Sequence, residues 1–250
     1  MSLEVRNLTK AFGGVHAIDD VSLNFPSGSL SAVIGPNGAG KSTFFNLICG
    51  AFPADRGQVL LEGRDVTALS RTARVREGIG RAFQVASCFP SMTVIENLMA
   101  AVTSHVGQWG SLYSRFPSPA VRRRALEIAE MAGLEQVAHT QAAILSHGDQ
   151  KLLDIALALA LEPRVLLLDE PTAGMGPEER WRMIERVRAL WERQKLTLVF
   201  IEHDMDIVFS VASTIRVLCY GRVLAEGTPD QIRANQLVID AYLGTEEHAA

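Results

Sequence analysis

Cysteine is scarce in this chain of 250 residues: Cys49, Cys88 and Cys219 lie far apart, and no CxxC pair occurs. Such spacing excludes a disulfide framework and a thiolate metal cluster, and it fits a reduced cytosolic setting. Long apolar runs are missing as well. The most apolar stretch, 152–161, is broken by Asp154 and is too short to cross a bilayer. Met1-Ser2-Leu3-Glu4 has no basic region leading into an apolar stretch, so no signal peptide is expected. Work at a membrane would need other chains to supply the membrane part. Positive charge is not in surplus: 24 Lys and Arg against 28 Asp and Glu give a formal charge of −4, which offers no overall attraction to nucleic acid. The basic run Arg122-Arg123-Arg124 reads as a solvated helix face.

What is present is ordinary globular material, 48% hydrophobic and 21% charged, enough to fill a sizeable core. Leu3 and Val5, then Val21, Leu23 and Phe25, alternate with polar residues as half-buried strands do. Leu30 to Ile34 is an apolar strand entering a glycine-rich loop, followed by a helix that ends at Gly50. Val59-Leu60-Leu61 reads as a further strand. From about residue 93 helical patterns take over: Thr93 and Glu96 have capping-box spacing, Arg122 to Ala132 is helical, and Lys151 to Leu161 is a buried helix. Trp109 to Pro119 reads as a loop. The last third alternates strand and helix. Val165 to Leu168 and Leu196 to Ile201 are continuous apolar runs, as in strands buried on both faces. Pro177 opens a helix with Trp181, Ile184, Val187 and Trp191 on one face. A hairpin about Gly221 and a helix capped at Thr228 close the chain. These patterns predict an α/β fold: a core with a mainly parallel sheet, an N-terminal antiparallel β layer and an inserted α-helical subdomain. The expected organisation is one domain over 1–250, with the helical subdomain at about 93–150 and a C-terminal extension at about 226–250.

Gly35-Pro36-Asn37-Gly38-Ala39-Gly40-Lys41-Ser42 matches the phosphate-loop pattern G-x-x-x-x-G-K-[ST], between an apolar strand and a helix as that motif requires. Glycines let backbone N–H groups converge on a triphosphate, and the helix N-terminus adds a partial positive charge. Lys41 then neutralises the β- and γ-phosphates, and the Ser42 hydroxyl ligates Mg²⁺. Asp169-Glu170 ends the strand that begins at Val165. Alone, this pair equally fits acids facing solvent. Beside a phosphate loop, Asp169 reads as a Mg²⁺ ligand and Glu170 as the acceptor of a proton from an attacking water. Ser146 and Gly148, in Leu145-Ser146-His147-Gly148-Asp149-Gln150, make a helix cap that can also hold an anion.

Together, one phosphate loop, a Leu-Ser-x-Gly element ahead of the Asp169-Glu170 strand, and a histidine after the next strand resemble the ATP-binding-cassette (ABC) ATPases over essentially the whole chain. The resemblance implies a P-loop NTPase core that binds ATP with Mg²⁺ and hydrolyses it. It implies nucleotide contacts from Gly35 through Thr43 and, across a dimer, from Ser146 and Gly148 of a second subunit. Gln84, in Arg81-Ala82-Phe83-Gln84, is similar to the family glutamine that contacts Mg²⁺ and the lytic water; outside this context it would be a surface glutamine. His203 is similar to the switch histidine near the γ-phosphate, with a structural histidine as the alternative. Phe12 is similar to the aromatic that stacks on adenine, with a core phenylalanine as the alternative. Two departures stand out. His147 and Asp149 depart from the usual Leu-Ser-Gly-Gly-Gln, and Gly176 stands where aspartate is usual after Glu170-Pro171-Thr172-Ala173-Gly174-Met175.

Within the transporters, Arg81 to Gln84, the run from Phe89 to Leu98, the loop near Trp109–Pro119, Glu170 to Met175, and the tail from Gly227 through Ile239-Asp240-Ala241-Tyr242-Leu243-Gly244 resemble the ATPases of branched-chain amino acid importers. That implies a second ATPase subunit, identical or different, integral membrane permeases, and indirectly a periplasmic or extracellular solute-binding protein. It also implies a peripheral position on the cytoplasmic face of the cell membrane. The alternative is a soluble ATPase of the same family acting on DNA or ribosomes. The middle segment is too short for the long coiled coil of the DNA-repair members. The translation factors usually carry two cassettes per chain, and this chain carries one.

Overall fold

The computed structural model describes residues 2–82, 88–107 and 118–243. Strands β1 (Ser2–Phe12) and β2 (Val15–Pro26) form a hairpin over Gly13-Gly14. Strand β3 (Leu30–Ile34) runs into the phosphate loop and helix α1 (Lys41–Cys49). There follow β4 (Arg56–Leu61), β5 (Arg64–Asp65), α2 (Arg71–Glu77) and β6 (Ile79–Ala82). The helical stretch holds α3 (Val94–Val106), α4 (Pro119–Met131) and α5 (His147–Leu159). Next come β7 (Val165–Asp169), α6 (Pro177–Gln194), β8 (Thr197–Ile201) and α7 (Met205–Val211). The chain then forms β9 (Thr214–Cys219), β10 (Arg222–Gly227), α8 (Pro229–Arg233) and α9 (Gln236–Leu243). The capping boxes at Thr93/Glu96 and Thr228/Gln231 are both closed. The loop expected over Trp109–Pro119 lies, through residue 117, outside the described residues; Ser118 and Pro119 already begin α4.

The strands form two sheets. One is antiparallel, in the order β2-β1-β4-β5. The other runs β10-β9-β3-β8-β7-β6, parallel throughout except for the final β9–β10 pair. Strands β3, β7 and β8 are buried at every residue, because both faces of this sheet are covered. Their alternation sorts side chains into two cores. Ala32, Ile34, Leu166, Leu168, Leu198 and Phe200 join the core shared with the helices. Val33, Val165, Leu167, Val199 and Ile201 join the core between the sheets, where Phe25, Phe44 and Phe45 also sit. Each fully buried side chain of this size contributes about 1.5–3 kcal/mol of burial.

Helix α6 corrects one expectation. Its buried face is Met183, Ile184, Val187 and Leu190, while Trp181 is 42% exposed. The helical period admits both arcs. Met183 and Leu190, seven positions apart, turn the buried stripe away from Trp181. Trp191 remains half-buried at the border and donates its indole N–H to the Gly28 carbonyl at 3.0 Å.

Candidate nucleotide site

Parallel strands deliver their following loops to one rim of the sheet. In the order β3-β8-β7, the register pairs Ile201 with both Val33 and Asp169. The loops after Ile34, Ile201 and Asp169 therefore emerge side by side. They bring the phosphate loop, His203 and Glu170 around one cavity of about 260 Å³, which is also lined by Ala17, Ser42 and Thr43.

Two glycines of the loop are fixed by close backbone approach. At Gly35 a Cβ would overlap the Leu218 carbonyl oxygen of β9, and at Gly40 the Ala17 carbonyl oxygen of β2. Gly40 also has φ +99 and stands at the N-cap of α1, with no side-chain cap and no acidic residue in the first turn. The first N–H groups of α1 are thus left for an anion. The Gly221 amide donates to the Ala39 carbonyl at 3.1 Å while its own carbonyl accepts from the Asp19 amide at 2.8 Å, tying the loop to β2. Lys41 folds back on the loop, its Nζ donating to the carbonyls of Gly35 at 2.6 Å and Pro36 at 3.0 Å. Burial lowers its pKa, and the nearby Glu170 and Asp169 oppose that shift.

Asp169 ends β7 with its side chain buried. Its Oδ2 accepts from Arg81 Nη2 at 2.6 Å, and Arg81 Nη1 donates to Asn46 Oδ1 at 2.6 Å. Glu170 has φ +50, and its amide donates to the Ile201 carbonyl at 3.0 Å. Its Oε1 lies 2.9 Å from His203 Nε2. A carboxylate only accepts, so this bond requires the proton on Nε2. The pair lines the same cavity as the phosphate loop. Phe12 closes β1 with 49% of its surface exposed, which excludes the core-phenylalanine alternative. Its ring stands edge-on to Phe52 at 5.4 Å, with the Lys10 ammonium 5.4 Å from its centroid. Gln84 lies outside the described residues.

Ser146 and Gly148 belong to a different cavity, lined also by Asp149, Glu179, Arg182 and Arg186. The two cavities have no lining residue in common. Ser146 caps α5: its Oγ accepts from the Asp149 amide at 3.1 Å and donates to Asp149 Oδ2 at 2.8 Å. His147 Nε2 sits 3.1 Å from the Ala173 carbonyl, so it links this element to the loop after Glu170. The sequence alone assigns no role to Arg81 or to Glu202. Both are charged residues beside a motif, and their partners lie 88 and 30 positions away in the chain.

A glycine-rich loop with its lysine, a strand-end Asp-Glu pair and a histidine on the next strand's loop define a P-loop nucleotide-hydrolysing site. The family described as ABC transporter matches residues 18–173, and the one described as branched-chain amino acid ATP-binding cassette transporter matches residues 222–248. The chain is 39% identical to the high-affinity branched-chain amino acid transport ATP-binding protein BraF of Pseudomonas aeruginosa, over 97% of each chain. It is 38% identical to the corresponding protein LivG of Escherichia coli K12, again over 97% of each. Among solved structures it superposes on an ATP-binding cassette of an ABC transporter in its ADP conformation. The TM-score is 0.86 at 31% identity, covering 98% of this chain and 99% of that one. The chain belongs to the ABC transporter family, in its branched-chain amino acid ATP-binding cassette branch. It is an ATPase.

Proposed function

We propose that this chain is the ATP-hydrolysing subunit of an importer for branched-chain amino acids or a closely related small solute. The observation that carries the mechanism is the meeting of Lys41, Glu170 and His203 in one cavity at the rim of β3, β7 and β8. The loop amides and Lys41 grip the β- and γ-phosphates, and Lys41 exchanges its two loop carbonyls for phosphate oxygens. Glu170 takes a proton from the water that attacks the γ-phosphorus as the bond to the β–γ bridging oxygen breaks. His203, donating through Nε2, keeps the Glu170 carboxylate aimed. The hydroxyl of Ser42, the carboxylate of Asp169 and the amide oxygen of Gln84 are hard donors that suit Mg²⁺. When bound, the ion neutralises charge on the β- and γ-phosphates.

One chain supplies half of the machinery. The separation of the Ser146–Gly148 cavity from the phosphate loop supports a dimer in which each ATP lies between the phosphate loop of one subunit and the Ser146 element of another. Two solved structures of one related cassette, matched at 27% and 28% identity, are dimeric. Among the described residues no helix is long and apolar enough to cross a membrane. In this reading integral permeases carry the solute, a solute-binding protein delivers it, and the chain lies on the cytoplasmic face. The groove between α3 and α5, lined by Phe89, Ala100, Ala101, Leu157 and Leu161, gives a permease segment an apolar seat. We read 93–150 as a helical subdomain and 226–250 as a C-terminal extension of one 1–250 domain.

The test is uptake of radiolabelled leucine by cells carrying the chain or its Glu170→Gln variant. The variant is expected to bind ATP, trap the dimer and abolish uptake. Normal uptake with Glu170→Gln would remove Glu170 from its role. Loss of some other solute's uptake, with leucine untouched, would change the assigned cargo.

A further inference from the structure

The loops that carry Glu170 and His203 are cross-linked by a side chain to which the mechanism above gives no part. Glu202 sits directly before His203 and is 4% exposed. Its Oε1 accepts from the Thr172 amide at 2.8 Å and from the Thr172 hydroxyl at 2.7 Å. Its Oε2 accepts from the His203 amide at 3.2 Å. Thr172 is 2% exposed and lies two residues after Glu170. A second rung runs alongside, from the Glu170 amide to the Ile201 carbonyl at 3.0 Å. The Glu170–His203 contact at 2.9 Å is framed by these two rungs.

A carboxylate is an expensive group to bury, and burial pushes this one above its ordinary pKa against the three hydrogen bonds it receives. Two backbone amides and a hydroxyl converge on it from both loops, an arrangement no single neutral side chain reproduces, because an amide offers only one acceptor atom. We propose that Glu202 is a positioning residue for hydrolysis: by binding Thr172 and the His203 backbone at once, it sets the spacing of the Glu170 and His203 side chains. The proposal rests on the roles assigned to those two residues. Glu202 is not among the residues that line the phosphate-loop cavity.

The experiment measures ATP turnover and nucleotide affinity of the full chain for Glu202→Gln, Thr172→Val and Thr172→Ser, with Glu170→Gln beside them. Glu202→Gln keeps one acceptor for Thr172 and turns an NH₂ against the His203 amide. It is expected to lower kcat by about tenfold or more, as displacements below 1 Å do at reacting groups, with KM for ATP changed by less than about threefold. Thr172→Val is expected to lower kcat in the same way, and Thr172→Ser to restore it. Wild-type kcat in folded Glu202→Gln and Thr172→Val overturns the proposal. So does a fall in kcat matched by a rise in KM and a lower melting temperature. If Glu202→Gln does not fold, the Thr172 pair decides alone. If Glu170→Gln itself turns over normally, the underlying assignment fails first. If Glu170→Gln is dead while the other variants are normal, only the role of Glu202 fails.

Discussion

Arg81 Nη2 and Asp169 Oδ2 meet at 2.6 Å, with the two side chains only 11% and 6% exposed. The pair joins the end of β6 to the end of β7, and Arg81 also lines the groove between α3 and α5. Removing the cation alone leaves a buried carboxylate without its charge partner. Arg81→Met is therefore expected to lower unfolding stability in urea by about 3 kcal/mol. The double variant Arg81→Met/Asp169→Asn removes both charges and should recover most of that loss. With Asp169→Asn alone measured as well, a double-variant loss equal to the sum of the two single losses would mean the two residues are not coupled.

The glycines of the phosphate loop separate backbone strain from steric overlap. Gly38 and Gly40 both have positive φ, +78 and +99, but a Cβ at Gly38 meets open space while one at Gly40 meets the Ala17 carbonyl. Gly38→Ala is expected to cost about 1 kcal/mol of strain and little affinity. Gly40→Ala has to move the loop from β2, so its ATP affinity should fall by more than about tenfold, or about 1.4 kcal/mol. Titration with a fluorescent nucleotide distinguishes the two, and matching affinities would contradict the argument.

Lys41 is an ammonium kept in a place that disfavours its charge until phosphate arrives. Lys41→Met keeps the apolar stem and removes the charge. ATP affinity should fall by about tenfold or more, since charge-assisted contacts to phosphate are the strong ones. Stability without nucleotide should hold or rise. The sign with pH follows from the lowered pKa of Lys41. In the alkaline range the unfolded chain keeps a proton there that the folded one releases, so stability from this group increases as pH rises. The gap between Lys41→Met and the wild type, from thermal melts across that range, should narrow toward high pH.

Glu202 carries the opposite sign. Burial raises its pKa, so the folded chain holds a proton there that the unfolded chain has released. Stability from this group is full below the ordinary carboxylate range and declines as pH rises through its raised folded pKa. Glu202→Gln removes that slope. Melting curves from acid to neutral pH should show the variant gaining on the wild type as pH increases. A parallel pair of curves would mean that the carboxylate is not penalised by its burial.

The parts of the site that sequence made legible are those that local chain geometry fixes. The Gly35–Ser42 loop needs a strand before it and a helix after it, and both are written in adjacent residues. Asp169-Glu170 follows an unbroken apolar run, so its place at a strand end could be inferred from pattern alone. Ser146 announced itself as a cap. The parts that stayed hidden depend on which strands become neighbours. Strand β6 has only four residues, Ile79 to Ala82, too few to show alternation, and α2 before it is a short arginine-rich helix. Without β6 beside β7, Arg81 has no reason to find Asp169. Glu202 looks like any acid next to a histidine until β7 and β8 pair and bring Thr172 within reach. Trp181 misled because a large aromatic at helical spacing counts toward a buried stripe wherever that stripe's centre falls.

The contacts of Gly35 with the Leu218 carbonyl and of Ala39 with the Gly221 amide carry a lesson about time. Translation makes the glycine-rich stretch, and the Ala17 wall behind Gly40, well before the β9 and Gly221 wall behind Gly35 and Ala39. A nascent polypeptide therefore possesses every letter of the motif long before it possesses the cradle. The backing of Gly35 and Ala39 is therefore in place only once the hairpin about Gly221 docks.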